Sequence, residues 1–232
     1  MKILLLASQS EDTITHKDGS IVKQTGGPFK FISNYLTLHD VVFDSAPNTS
    51  AIVNVFVDDN DEHGDIVRAE TISVPADLNS YDSVIISTVS PFAFDFKTVA
   101  GFKGNLFIDL QGFLRAEKAK LPEIIKNLLL IQNFCIIKST IRERALFNNV
   151  NGDLLKHTQF MVETDNIRGV NLLQENIVRH FNVPRVIQGR DTIGAGDTFF
   201  AACIYHFMTG KPINKAVTTA MADVCDFLTK ML

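Results

Sequence analysis

The sequence predicts an α/β fold in which helices cover a central, mainly parallel sheet. Short β-rich runs alternate with helical patterns along most of the chain, which is typical of parallel strands joined by crossover helices. The 232 residues are 46% apolar and 21% charged, and this composition can supply one large core. No linker rich in Pro, Gly or Ser divides the sequence, so we expect a single domain over residues 1–232.

Five mostly apolar runs have the length and composition of central strands. They are KILLLAS (2–8), VVFDSA (41–46), SVIISTV (83–89), NLFIDLQ (105–111) and FCIIKST (134–140). Between the first two, residues 28–39 place apolar side chains at helical spacing, and Pro28 suits the first turn of a helix. This segment is predicted to be a helix packed on the sheet.

Two further segments interrupt the alternation of strands and helices. The segments around residues 12–25 and 50–75 are extended and alternating, with Asp18-Gly19 and His63-Gly64 at their tips. They are predicted to be antiparallel ribbons outside the main sheet. Near the C-terminus, QFMVETD and GVNLLQENIVRHFNV predict a β meander, followed by a glycine-rich loop and two helices separated around Gly210.

The charge and cysteine content indicate a small-molecule partner and a cytoplasmic location. A formal net charge of -4 provides no sequence-wide basic field, so neither nucleic acid nor a membrane surface is an expected partner. Cys135, Cys203 and Cys225 are widely spaced and form no C-x-x-C pair, which favours reduced thiols. The apolar run at the N-terminus is too short for a signal sequence or a membrane span.

The stretch QGRDTIGAGDT places a glycine-rich turn directly before an apolar run that has the pattern of a buried helix. Gly194, Ala195 and Gly196 leave the backbone unobstructed, so N–H groups and the helix dipole can converge on an anion. Asp197 follows, where its carboxylate would accept the proton of a hydroxyl that attacks a phosphate. For a lone G-x-G, a helix cap and a simple turn are the more common explanation. Only a longer match to a phosphate-binding motif would favour the catalytic interpretation.

The segment DTIGAGDTF (191–199) resembles the second signature of the PfkB/ribokinase family of carbohydrate kinases. The resemblance implies a ribokinase-like three-layer fold with a central mainly parallel sheet and a small β lid. It also implies transfer of a phosphoryl group from ATP, with Mg²⁺, to a hydroxyl of a small sugar, nucleoside or polyol. Asp197 would be the catalytic base, Thr192 would contact the nucleotide and Asp191 the substrate.

Two N-terminal motifs are similar to the substrate-binding segments of that family. In SQSEDTI, Asp12 matches the aspartate that contacts substrate hydroxyls, although an aspartate in a turn is an equally good interpretation. In GGPFKFIS, Gly26 and Gly27 match the glycines that let the backbone approach the sugar. Phe31 stands where many sugar kinases of the family have asparagine, which speaks against a ribokinase-like or fructokinase-like acceptor.

A third segment, IDLQGFLR, is similar to one found in archaeal members of the family and in plant inositol kinases. The similarity makes Asp109, Gln111 and Arg115 candidates near the substrate pocket. A simpler interpretation of Asp109 is that it ends its strand.

Two more segments resemble the parts of the family that border the nucleotide. TIRE aligns with the N-x-x-E motif, so Glu143 would organise Mg²⁺ through water, while Thr140 replaces the asparagine. VETDNIRGV resembles the T-x-G-x-x-G segment: Thr164 and Gly169 match, and Asn166 stands where glycine is usual. Asparagine tolerates left-handed backbone angles, so the turn is expected to survive.

The two predicted ribbons would correspond to the family's lid, which closes over the substrate and often pairs with a second subunit. The resemblance therefore implies a homodimer formed through the lid. The alternative to an active kinase is a non-catalytic member that binds a nucleotide or sugar, because Thr140, Asn166 and the short chain depart from the family pattern.

Overall fold

A computed structural model describes residues 2–46, 50–57, 62–91, 95–115, 119–148, 154–175, 177–187 and 192–230. The strands in chain order are β1 (Ile3–Ala7), β2 (Gln9–His16), β3 (Ile21–Gly26), β4 (Phe43–Ser45), β5 (Ser50–Val57), β6 (Glu62–Ala69), β7 (Ser83–Ser87), β8 (Asn105–Asp109), β9 (Phe134–Thr140), β10 (Thr158–Thr164), β11 (Val170–Gln174) and β12 (Ile177–Phe181). The helices are α1 (Gly27–Leu38), α2 (Leu121–Leu128), α3 (Ile141–Asn148), α4 (Ala195–Met208) and α5 (Ile213–Lys230).

The main sheet has eight strands in the order β12-β11-β10-β9-β8-β7-β1-β4. The six strands β4, β1, β7, β8, β9 and β10 pair with one another in parallel. At one edge of the sheet, β11 pairs antiparallel with β10, and β12 pairs antiparallel with β11. All five strands predicted from the apolar runs are present in it. The predicted fold class, with a central and mainly parallel sheet, is therefore confirmed.

Helices cover both faces of this sheet and make a three-layer structure. Side chains alternate across β1, so Leu4 and Leu6 join one core cluster together with apolar residues of α2. Ile3 and Leu5 point to the opposite face and join a second cluster with residues of α1, α4 and α5. Among the helices of the described ranges, none combines the length and apolar character needed to cross a membrane.

The two predicted ribbons form a separate four-stranded sheet, here called the lid sheet, with strand order β3-β2-β5-β6. Each predicted ribbon is an antiparallel pair, β2 with β3 and β5 with β6. The two pairs are joined by parallel pairing of β2 with β5, which the ribbon pattern did not predict. Ile14, Val53 and Val55 on one face of this sheet are buried in a third apolar cluster with Phe31 and Ile193 of the body.

Short junctions connect the lid sheet to the body. Only Ser8 separates β1 from β2, and β3 ends at Gly26, directly before α1. Gly27 has a left-handed backbone with φ of 80°, and a Cβ there would lie 2.7 Å from the carbonyl oxygen of Ser8. Glycine at position 27 therefore lets the two junctions cross closely.

Candidate active site

The predicted phosphate-binding loop leads into α4 beside the C-terminal ends of the central strands. Gly194 is the N-cap of α4 and has left-handed angles, φ 81° and ψ -3°. A Cβ at this position would also collide with the ring of Phe31. Glycine is therefore required at position 194 both by its backbone angles and by the ring that packs against it.

The first turn of α4 presents backbone donors next to a carboxylate. The Ala195 N–H donates to the carbonyl of Thr192 at 2.9 Å, so Ala195 closes the turn in this conformation. Gly196 and Asp197 occupy the second and third helical positions, whose N–H groups have no acceptor within a helix. The positive end of the helix dipole lies here and favours negative charge.

A buried lysine, which sequence reasoning missed, lies beneath this loop. Lys138 Nζ is 2.8 Å from Asp109 Oδ2, and the two side chains are 3% and 0% exposed. Burial alone would lower the pKa of Lys138, but the carboxylates of Asp109, Asp197 and Glu143 outweigh burial and raise this pKa to about 12. A Cβ at Gly196 would lie 3.2 Å from Lys138 Nζ, so the ammonium lies against the loop.

The sequence carries a usable signal for this lysine. Lys138 lies within FCIIKST, a run that otherwise has the composition of a fully buried strand. A charged side chain in such a strand needs a partner, and Asp109 ends the neighbouring strand β8. Asp109 is held in turn by the Gln111 N–H, which donates to its Oδ1 at 3.0 Å. Gln111 thus reaches the site through its backbone.

The N-terminal residues predicted to contact the substrate meet at the junction between the lid sheet and the body. Asp12 is 6% exposed, and the Ser10 hydroxyl donates to its Oδ1 at 2.6 Å. A Cβ at Gly26 would collide with the Asp12 carboxylate, so Gly26 makes room for it. Burial raises the pKa of Asp12, and the Ser10 hydrogen bond and the positive charges of Lys30 and Arg115 oppose this rise.

The TIRE segment forms a capping box at the start of α3. The Thr140 N–H donates to Glu143 Oε2 at 2.6 Å, and the Glu143 N–H donates to Thr140 Oγ1 at 3.2 Å. The threonine that departs from the family motif therefore has a structural role of its own. Burial and the nearby Asp109 raise the pKa of Glu143, whereas Lys138 lowers it.

The segment predicted to border the nucleotide follows β10. Thr164 ends this strand, and the next residues form a short 3₁₀ turn, Asn166–Arg168. Asn166 has a φ of 47°, the left-handed conformation expected of an asparagine that replaces glycine. Gly169 has a φ of 117°, and a Cβ there would collide with the carbonyl of Phe181. Gly169 thus lets β12 pass close to the turn.

Solved structures of kinases share this architecture. A nucleoside kinase from Methanocaldococcus jannaschii, an archaeal member of the ribokinase family, matches with a TM-score of 0.67 and 16% identity, over 96% of this chain and 90% of that one. A nucleoside kinase of Burkholderia thailandensis in complex with inosine matches at 0.67 and 14% identity, over 96% and 89%. This chain has the ribokinase-like fold.

A further match with the ribokinase-like fold is a kinase that depends on pyrophosphate. It is a pyrophosphate-dependent kinase in the ribokinase family, complexed with a pyrophosphate analogue and myo-inositol, with a TM-score of 0.63 and 18% identity over 97% of this chain and 93% of that one. No protein-family model matches the sequence, and neither does any curated protein. Because one fold supports many activities, function has to be argued from the site.

The ribokinase-like fold brings most of the predicted site residues to two places. Gly196 and Asp197 lie beside Lys138 of the Lys138–Asp109 pair, with Gly194 packed against Phe31. Asp12 lies under the lid sheet next to Gly26. Thr164 and Thr140 are register partners at the ends of β10 and β9. Asp191 lies outside the described residues. Within the ranges that the structure describes, no group of three or more His, Cys, Asp or Glu side chains could hold a metal ion.

Proposed function

We propose that this chain belongs to the PfkB/ribokinase family and transfers a phosphoryl group from ATP to a hydroxyl of a small sugar, nucleoside or polyol. One observation carries the proposal: the Gly194–Gly196 loop opens α4 beside Asp197 and directly above the buried ammonium of Lys138. Backbone donors, a fixed cation and a carboxylate are the groups that phosphoryl transfer to an alcohol needs in one place.

In the proposed reaction, Asp197 accepts the proton of the acceptor hydroxyl as its oxygen attacks the terminal phosphorus of ATP. A bond from that oxygen to phosphorus forms, and the bond to the leaving oxygen of ADP breaks. The N–H groups at Gly194 and Gly196 stabilise charge on the moving phosphoryl group, and Lys138 adds a positive charge beneath them. The proton then leaves Asp197 for solvent, which restores the base.

The two substrates would occupy the two sides of this loop. The acceptor would lie under the lid, against Asp12, Gly26, Gly27 and Gln111, with Asp191 as a further contact. The nucleotide would lie on the side of β10, near Thr164, Asn166, Gly169 and Thr192, with Ala195 shaping the turn between the substrates. This division follows the rule that ligands of open α/β sheets bind outside the carboxyl ends of the strands.

The charge of the site suits a hard cation such as Mg²⁺. The carboxyl groups of Asp109, Glu143 and Asp197 all act electrostatically on the ammonium of Lys138, so acidic groups outnumber this lysine. Glu143 commits Oε2 to the Thr140 N–H, so its other oxygen would hold magnesium through water. Mg²⁺ would neutralise charge on the donor phosphates and take most of its ligands from those phosphates and from water.

Closure of the lid sheet would exclude water from the transferred group. We also propose that two copies of the chain form a homodimer through the lid sheet, and the exposed Ile52 and Val67 on this sheet support this assembly. Light scattering at working concentration measures the oligomeric state, and a monomer would contradict the homodimer. Cys135, Cys203 and Cys225 are all free and buried, which supports the proposed cytoplasmic location.

A non-catalytic member of the family is the second candidate function. Asn166 and Thr140 replace residues of the family pattern, and this observation favours it. Asn166 nevertheless keeps the left-handed turn, and Thr140 and Glu143 keep their local contact. Two departures that preserve local geometry support retained activity.

The decisive experiment measures ADP formation from ATP and Mg²⁺ across a panel of pentoses, hexoses, nucleosides and inositols. Acceptor-dependent turnover should fall by orders of magnitude in Asp197→Asn while nucleotide affinity stays similar, since the carboxylate acts in the transition state. Turnover by the variant at the wild-type rate would exclude Asp197 as the base. Ligand binding without transfer to any acceptor would favour the non-catalytic candidate.

A further inference from the structure

A cavity lies at the end of the main sheet opposite the candidate active site. This amino-end cavity has a volume of about 620 Å³ and is lined by Asn105, Phe134 and Thr158, the first residues of β8, β9 and β10. At about 3.3 Å per residue, these strands keep it roughly 13–20 Å from their carboxyl ends. The amino-end cavity is therefore separate from the phosphate-binding loop, and it has the size of a small-molecule site.

Two exposed lysines flank the amino-end cavity. Lys103 precedes β8 and Lys156 precedes β10, and β9 lies between these two strands in the sheet, so the lysines approach the cavity from opposite sides. Among the described residues that line the cavity, none is Asp or Glu. The chain as a whole has a net charge of -4, so this place is basic against the overall balance. Its local charge favours a negatively charged ligand.

A histidine in the wall of the amino-end cavity has an unpaired nitrogen. His157 is half-buried, and its Nδ1 is buried without a hydrogen-bond partner among the residues that the structure describes. Buried polar atoms rarely lack a partner. Turning the imidazole toward the cavity would break no hydrogen bond of Nδ1 and would let this nitrogen donate to a ligand. His157 is therefore a side chain that a bound anion would satisfy.

The other polar groups of this wall are neutral. The Cys135 thiol donates to Asn105 Oδ1 at 3.3 Å, and burial raises the pKa of this thiol, so it stays uncharged at neutral pH. Asn133 and Gln159 add carboxamide N–H donors. A cation would meet no carboxylate on the described wall, whereas an anion would meet ammonium, imidazole and amide donors.

We propose that the amino-end cavity binds a small organic anion that carries phosphate or carboxylate groups. Lys103 and Lys156 attract its charges from two sides, and His157 donates a hydrogen bond to one of its oxygens. The cavity has more room than a single inorganic ion fills, which favours an organic ligand. This site goes beyond the proposed kinase activity and does not depend on it.

The first test follows the histidine rings of the isotope-labelled wild-type protein by NMR while citrate or pyrophosphate is added without Mg²⁺. The variant His157→Gln identifies the signal of His157 among the six histidines. This signal should shift saturably with at least one of the two anions, with a Kd below about 1 mM. A shift with citrate alone indicates a carboxylate ligand, and a shift with pyrophosphate alone indicates a phosphate ligand. No histidine is among the predicted active-site residues, so the signal reports on the amino-end cavity itself.

The second test reverses one charge of the cavity. Lys103→Glu should raise the Kd of the bound anion by about tenfold or more, because a carboxylate replaces an attracting ammonium. Lys156 also interacts with another group of the chain, which makes Lys103 the better position for this change. The matched control is Lys23→Glu on the exposed part of β3, which alters the net charge equally and should leave the Kd within about twofold. Circular dichroism verifies that both variants are folded.

Two results would overturn the inference. One is a His157 signal that stays unchanged with both anions at millimolar concentration in the wild-type protein. The other is equal weakening of binding by Lys103→Glu and Lys23→Glu, since this would indicate only general attraction of an anion to positive charge. Formation of ADP is measured separately, so failure of the kinase activity and failure of this site are distinguishable.

Discussion

Replacing Lys138 with methionine should destabilise the protein by about 3–5 kcal/mol at neutral pH. Methionine has a similar length and is apolar, so it keeps much of the packing and removes the charge. The change leaves Asp109, which is 0% exposed and lies 2.8 Å from the ammonium in the wild type, without its cation. A carboxylate buried in this way has lost the partner that offsets its desolvation.

The pKa of Lys138 sets a lower bound on this loss of stability. The rise of the Lys138 pKa from 10.5 to about 12 corresponds to about 2 kcal/mol of net stabilisation. Because the folded-state pKa is the higher one, this contribution is complete below pH 10.5 and is lost as the pH rises through about 12. Deleting the ammonium costs more than this figure, since it leaves the fully buried Asp109 without a cation and near the carboxylates of Glu143 and Asp197.

Urea unfolding at pH 7.5, followed by circular dichroism, measures the loss. Lys126→Met on the exposed face of α2 is the matched control, and it should change the free energy of unfolding by less than about 0.5 kcal/mol. Asp109→Asn and the double variant Lys138→Met/Asp109→Asn complete a double-mutant cycle. Their coupling energy should be about 1–3 kcal/mol, because the two side chains contact each other directly.

A loss below about 1 kcal/mol in Lys138→Met would refute the reasoning, as would additivity within about 0.3 kcal/mol in the cycle. Either result would mean that solvent or another cation reaches Asp109. The electrostatic account of the loop would then be wrong.

Two further predictions compare paired variants. Thr140→Ala should lower stability by about 1 kcal/mol through loss of the capping box, whereas Thr140→Asn, which is also a good N-cap, should be near neutral in thermal melting. If Thr140→Ala and Thr140→Asn melt at the same temperature, the N-cap of α3 is not what Thr140 contributes to stability. Gly194→Ala should cost clearly more than Gly210→Ala in the same assay, because both glycines have left-handed angles but only Gly194 faces a ring, that of Phe31. Equal losses would show that backbone strain alone requires glycine at position 194.

The central sheet could be predicted because its strands are buried on both faces and are therefore continuous apolar runs. KILLLAS became β1 and SVIISTV became β7, each buried along its whole length. The helix α2 was not predicted, although Leu121, Ile124, Ile125 and Leu128 have helical spacing. A helix of eight residues is short enough for its pattern to be overlooked between strands.

Two features of the candidate site depend on information that local pattern does not carry. The parallel pairing of β2 with β5 joins segments about 40 residues apart, and alternation within each ribbon does not reveal it. The Lys138–Asp109 pair likewise depends on which strands become neighbours. By contrast, the capping box was visible in the letters TIRE, since S/T-x-x-E before a helix is its signature. The same four letters align with the N-x-x-E motif of the family, which favours a metal-organising role for Glu143 instead.

The parallel pairing of β2 with β5 also bears on the order in which the molecule folds. From β8 to β10, each strand pairs with the one that precedes it in the chain, so this part of the main sheet forms through contacts of moderate sequence separation. The hairpin of β2 and β3, in contrast, would be only marginally stable alone. It is stabilised by pairing of β2 with β5, and the lid sheet packs against Phe31 and Ile193 of the body. We therefore expect Asp12 and its surroundings to acquire native structure only after the part of the main sheet that contains β7 to β10.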